Sequence, residues 1–221
     1  VLPIKNTVGV YLLGAWVRDS CAGIGTMTYY DDSHNYFAAL GHGICDCDTA
    51  ALLPLKSGET VQAQISGIDK SVCGKAGSFC GYFTDVRLGN LSVNSPLGIF
   101  GDLTSENYKR NKKYLIANDD EVKTGKAVMV TTLVGDSPQE YEIEIKRICN
   151  RDMTSNENFV IKITDSRLLE NCGGIVQGMS GSPIVQNGKI VGAVTHVFLN
   201  NPREGYGVFA QYMAECYNNQ H

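Results

Sequence analysis

The chain has 221 residues, 43% hydrophobic and 19% charged, with 24 glycines and 6 prolines. That mixture excludes a disordered or collagen-like segment. The net charge of −4 argues against a general nucleic-acid binder, whose phosphate contacts need a basic surface. The longest strongly apolar stretch, Gly9–Val17, is far short of the ~20 residues that span a bilayer. No signal peptide opens the sequence, which leaves open a mature form or an excised domain of a larger exported protein.

Strand signals dominate. Val8–Val17 is an apolar run broken by Gly14, and Gly25–Tyr30 reads as a strand. Asp31–Asn35 is the turn that returns the chain into Tyr36–Leu40. Glu59–Ile68 alternates Val61, Ala63 and Ile65 against Gln62, Gln64 and Ser66, which is period two. The stretch Thr104–Asn118 is polar and holds the short basic run Lys109–Lys113, read as a solvated connection between two β halves. Those halves are expected at about 1–104 and 119–221 of a single domain. Lys126–Val134 and Glu140–Arg147 form a second hairpin around Gly135–Pro138, and Phe159–Ile163 is a short strand. Ile184–Val185 and Lys189–Val194 flank Gln186-Asn187-Gly188, and Asn-Gly is the strongest short hairpin signal. Only the C-terminus reads as helix: Phe209, Tyr212, Met213 and Cys216 make one apolar face, assigned to core packing. Many short strands and one terminal helix predict an all-β fold, two barrels or a sandwich.

The 8 cysteines are too sparse for a disulfide-stapled mini-protein. Cys45 and Cys47 with His42 admit a metal-site reading, but the spacing matches no standard zinc pattern. Buried thiols with one or two bridges are the simpler expectation.

The chemistry centres on Gly178-Met179-Ser180-Gly181-Ser182-Pro183. An acyl-transfer nucleophile needs its hydroxyl on a tight turn and backbone N–H groups aimed at the oxygen that becomes negative. Gly178 can adopt a backbone closed to other residues, and Gly181 lets the chain leave the turn without a clash. A general base needs a rigid mount at an element edge. His42 has that setting, directly after the small apolar strand Ala38-Ala39-Leu40 and between Gly41 and Gly43. His34 lies in a turn and His221 is terminal, so His42 and His196 are the candidates. Histidine before serine is the chain order of the chymotrypsin type.

From Ser180 to Val197 the chain reads SGSPIVQNGKIVGAVTHV. It is similar, without a gap, to the segment after the nucleophile of trypsin-like enzymes. The resemblance implies a chymotrypsin-like double β-barrel and an oxyanion hole from the Gly178 and Ser180 amides. It makes Thr195 a brace for the triad acid, and Thr195–Val197 the edge that pairs with substrate, with His196 as a contact. Gly174 and Val197 fall on the primary pocket. Two departures are informative. Met179 precedes the nucleophile, so activation by a buried ammonium against an acid there is excluded. Gly174 carries no charge, so a shallow apolar pocket for a small or medium uncharged side chain is expected.

A second resemblance covers nearly the whole chain. Arg18–Thr28, Ala39-Leu40-Gly41-His42, Ser95–Gly101, Lys162–Leu169 and Gly173–Val197 resemble the SpoIVB peptidase family of endospore-forming bacteria. The resemblance implies a serine endopeptidase that processes itself. It would also cut the membrane-anchored regulator of a membrane-embedded metalloprotease, releasing a late sigma factor. The expected location is the space between forespore and mother-cell membranes. Family members usually carry a membrane segment and a PDZ domain as well, so this chain is expected to be the isolated peptidase domain. No metal or organic cofactor is implied. The family points to Asp165 as the acid that orients His42. Spacing in trypsin-like enzymes points instead to Asp85, and Asp46 and Asp48 are near His42 only in sequence. A protease-like module that binds a partner by strand addition, without catalysis, is the rival function.

Overall fold

The computed structural model describes all residues except 1–3, 6, 10, 13–20, 105–111, 136 and 220–221. Most of the apolar run at 8–17 and the start of the basic run at 109–113 therefore lie outside the described residues. Within them, β1 (Ile4–Lys5) pairs antiparallel with β2 (Tyr11–Leu12).

The expected first hairpin is β3 (Met27–Asp31) and β4 (Tyr36–Ala39). Its turn is set by the Asp31 carboxylate, which accepts the Ser33 and His34 N–H groups, the Asx-turn role of that residue. All four residues of β4 are buried. Tyr36 and Ala38 join the main core, and Phe37 and Ala39 a second cluster with Ile99 and Leu103. A strand covered on both faces reads as an unbroken apolar run, which is why this strand is apolar up to Leu40.

A long ribbon follows. β5 (Gly58–Asp69) pairs with β6 (Gly77–Ser95), and β6 continues against β7 (Gly98–Leu103). After β8 (Leu115–Ile116) comes the second expected hairpin, β9 (Gly125–Thr131) and β10 (Gln139–Ile148). On β10, Tyr141, Ile143 and Ile145 are buried while Glu140, Glu142 and Lys146 are exposed, the period-two signature of one face on a core. The remaining elements are β11 (Phe159–Ile163), α1 (Ser166–Cys172), β12 (Val176–Gln177), β13 (Pro183–Gln186), β14 (Lys189–Val197), β15 (Glu204–Phe209) and α2 (Ala210–Asn218). Asn187 (φ 51°) and Gly188 (φ 77°) form the β13–β14 turn, both left-handed as a type I′ hairpin requires.

The pairing is all-β in two halves. One sheet runs β12–β6–β7–β4–β3, with β5 added on β6, and forms a half-barrel. The other runs β13–β9–β10–β11–β15–β14, and a β13–β14 pairing closes it into a six-stranded barrel with β8 on its flank. The all-β class, the two halves and the short C-terminal helix are as expected, but only one half closes into a barrel and the other stays a half-barrel, not the second barrel expected. One core joins the halves, with Phe79 and Phe100 from the first sheet packed among Met129, Ile143, Phe159 and Phe209 from the second. No described helix is long and apolar enough to cross a membrane.

Candidate active site

The Gly178–Ser182 loop lies at the junction of the halves. It connects β12, which pairs with β6 of the half-barrel, to β13 of the closed barrel. Three bonds stitch it to the first half through Thr26. The Thr26 N–H donates to Ser180 O (2.9 Å) and its hydroxyl to Gly178 O (2.9 Å). Thr26 O in turn accepts the Leu40 N–H (3.2 Å). One residue therefore ties the serine turn to the strand that presents the histidine. Gly181 (φ 90°) makes this approach possible, because a Cβ there would lie 2.0 Å from Thr26 O. Gly178 also needs its glycine, at φ 101° with the Phe79 ring against it. The bonds around this turn leave the Gly178 and Ser180 N–H groups without an acceptor among the described residues.

His42 follows two left-handed residues, Leu40 and Gly41, both at φ 69°. Leu40 is a branched side chain in a conformation that costs about 1–3 kcal/mol, and such strain concentrates at functional sites. The His42 Nδ1 lies 2.9 Å from Gly43 O. A carbonyl oxygen only accepts, so Nδ1 carries the proton and Nε2 keeps its lone pair.

His42, Gly178, Ser180, Thr195, His196 and Val197 line one open groove of about 1900 Å³ between the halves. The Ser180 hydroxyl donates to Thr195 O (3.0 Å), so it is not donated to His42 in this state. The His42 and His196 rings stand 5.2 Å apart between centroids, tilted by 35°. Partial desolvation against the groove wall, reinforced by the charge His42 would carry, lowers the pKa of the solvent-accessible His196 imidazole. Thr195–Val197 pairs with β15 across a bulge on one side, while β13 pairing ends at Ala193 on the other. The second side is open toward the groove.

Three of the expected residues have other partners or surroundings among the described residues. Asp165 makes its hydrogen bonds at the start of α1 and none of them to His42. It caps α1 by accepting the Arg167 N–H, takes the Glu142 N–H, and is bridged twice by the Arg167 guanidinium, at 3.1 and 2.7 Å. The Arg167 bonds hold its carboxyl down to about 2. Thr195 Oγ1 donates to Asn156 O and braces no acid. Gly174 is buried away from the groove, where a Cβ would meet Pro202 O at 2.3 Å. Asp85 is exposed on β6 and does not line the groove, and Asp46 Oδ1 takes the N–H groups of its own turn. The group that meets Nδ1 is a backbone carbonyl, which residue type cannot reveal. Thr26 was missed for a related reason: the bonds to Gly178 and Ser180 link residues remote in sequence.

None of the eight cysteines forms a disulfide, and no three His, Cys, Asp or Glu side chains converge into a metal-ligand set among the described residues. Cys45 Sγ lies 3.9 Å from Gly43 O and Cys47 faces Asp48.

The family model of the SpoIVB peptidase S55 matches residues 9–214. No curated protein sequence matches the chain. Among solved structures, the inactive form of the Rv3671c protease is similar at a TM-score of 0.42 and 16% identity, over 69% of this chain and 77% of that one. A mutant of human heparin binding protein (CAP37) is similar at 0.40 and 11%, over 83% and 73%.

Proposed function

The chain belongs to the SpoIVB peptidase S55 family, a family of serine peptidases, and from that premise we propose that it hydrolyses peptide bonds with Ser180 as nucleophile and His42 as general base. The observation that carries this reading is the junction itself. A serine on a left-handed glycine turn and a histidine of fixed tautomer line one groove, stitched together by Thr26.

In the proposed reaction, the Ser180 hydroxyl leaves Thr195 O by a side-chain rotation and turns to His42 Nε2. As Oγ attacks the substrate carbonyl, Nε2 takes its proton. The Gly178 and Ser180 N–H groups, both unengaged, receive the developing oxyanion, a term worth about 3–4 kcal/mol per donor in comparable sites. The imidazolium then protonates the leaving amine, and water repeats the sequence on the acyl-enzyme. Gly43 O holds His42 in the productive tautomer throughout, the task a carboxylate performs in a triad. No carboxylate among the described residues shares it, so on this reading the developing imidazolium is stabilised less, and a slow enzyme is expected.

Substrate enters along the free side of Thr195–Val197 by strand pairing. Ile175, Val176 and Val197 beside it support an apolar pocket for a small or medium uncharged side chain. The family carries the finer reading: self-processing, cleavage of the membrane-anchored regulator of an intramembrane metalloprotease, and action between forespore and mother-cell membranes beside a PDZ domain in the full-length protein. A peptide-library cleavage profile tests the pocket, and a strong preference for Lys or Arg at the cleaved bond overturns it. Incubating the chain alone tests self-processing. The parent should yield fragments over hours and Ser180→Ala should stay intact; an intact parent, or fragments from both, overturns it.

A further inference from the structure

The neighbouring imidazoles of His42 and His196 have a spacing that proton transfer to a serine does not require. We propose that they form a binding site for a divalent transition cation of the Zn²⁺ type, which inhibits the enzyme by occupying its base.

The argument begins with distance. Imidazoles bind Zn²⁺ at about 2.0–2.1 Å, and two rings sharing a tetrahedral ion stand with their centroids about 5.2 Å apart. The His42 and His196 centroids are 5.2 Å apart. Lone pairs are available too. Gly43 O takes the Nδ1 proton of His42, which leaves Nε2 as a ligand atom. A backbone carbonyl on the other ring nitrogen is the usual support of a metal-bound histidine. The His196 ring has no hydrogen-bond partner among the described residues, so either of its ring nitrogens is available. Access is the third element: His196 is exposed, His42 half-buried, and both line the open groove.

No third His, Cys, Asp or Glu joins them among the described residues. The ion would therefore keep open positions for water or a substrate carbonyl, and would bind more weakly than a structural zinc, which takes four protein ligands. That suits reversible inhibition. Imidazole ligation selects Zn²⁺, Cu²⁺ or Ni²⁺ over Mg²⁺ and Ca²⁺, which prefer oxygen. The other described histidine, His34, sits in an exposed turn against Asp31 and the Tyr36 ring.

The inhibition rests on the reading of His42 as the base, whereas the site does not. The test therefore uses Ser180→Ala protein, which cannot turn over. Its histidine rings are labelled with nitrogen-15 and titrated with Zn²⁺ from one equivalent to tenfold excess in a non-chelating buffer. Ion captured by exposed thiols leaves ring signals unmoved, so the readout is specific. The expected result is that one ring nitrogen each of His42 and His196 shifts together, at a common midpoint, while His34 does not follow. In His196→Ala the His42 midpoint should rise at least tenfold. His42 moving equally in both proteins, or neither ring moving, overturns the site. In the active parent, Zn²⁺ should inhibit peptide hydrolysis reversibly on chelation, and about tenfold less in His196→Ala. Ring shifts without inhibition would keep the site and overturn the role of His42 as base.

Discussion

At the residue scale the site turns on which group meets His42 Nδ1. The structure places Gly43 O there at 2.9 Å and gives Asp165 to Arg167 and α1. Asp165→Asn separates the two roles, because asparagine remains a good helix cap but loses the ion pair. Turnover should stay within about threefold of the parent, whereas removing the charge of a true triad carboxylate costs about 10⁴-fold. Steady-state peptide hydrolysis decides, with folding checked by circular dichroism. Thr26 offers a second residue-scale test. Thr26→Val removes the hydroxyl bond to Gly178 O and should cost about 1 kcal/mol of stability. Turnover should fall roughly ten- to a hundredfold as the oxyanion donors lose their mount. Thr26→Ser should restore most of both, and a Val variant with parental kcat would remove Thr26 from the positioning role.

At the element scale, α1 shows where a short motif has its meaning in the fold. The Asp165 carboxyl is held down to about 2 by the Arg167 bonds. A depressed folded value favours the charged form in the native state, so its contribution is complete above the ordinary value near 4. It is lost as pH falls from there toward 2. Urea unfolding should show a loss on the order of 1–2 kcal/mol across that window, much reduced in Asp165→Asn. The strand-rich class and three hairpins were legible because Asp31, the Gly135–Pro138 turn and Asn187-Gly188 are turn chemistry written locally. The short α1 was not, although its Asp N-cap and its left-handed Gly173 C-cap are both standard signals. Seven residues give too little periodicity to read. β15 (Glu204–Phe209) was hidden as well, since Gly205 and Gly207 lack the side chains that mark a strand. Those glycines lie under Ile175, Phe159 and the β14 backbone, a packing demand that no local pattern contains.

At the whole-molecule scale, the two halves share one core and the β12–β6 pairing, and the Gly181 turn adds a close approach at their junction. Gly181 permits it, and Gly181→Ala should cost about 3 kcal/mol or more through strain and clash together. A thermal melt within 2 °C of the parent would show that the junction yields without loss. The cysteines report on the same body. Cys172 is fully buried, and burial pushes its thiol up to about 11, while Cys21, Cys45, Cys47, Cys73 and Cys80 are exposed. Iodoacetamide on native protein should modify the exposed thiols and spare Cys172, read by peptide mass. Fast labelling of Cys172 would mean that the α1 region opens. The candidate site residues were legible to different degrees. Ser180, His42 and the glycine turn stand out by residue type and spacing as candidates. The carbonyl on His42 Nδ1, the Thr26 bonds and the neighbouring His196 ring exist only once the halves meet.

The central claim is that Ser180 is an activated nucleophile whose reactivity depends on His42 and not on Asp165. Labelling with a fluorophosphonate serine probe, mapped by peptide mass, tests it most directly. The account predicts one adduct, on Ser180, absent in Ser180→Ala, strongly slowed in His42→Ala and near the parental rate in Asp165→Asn. An adduct that survives Ser180→Ala, or labelling lost in Asp165→Asn protein that remains folded, would contradict it.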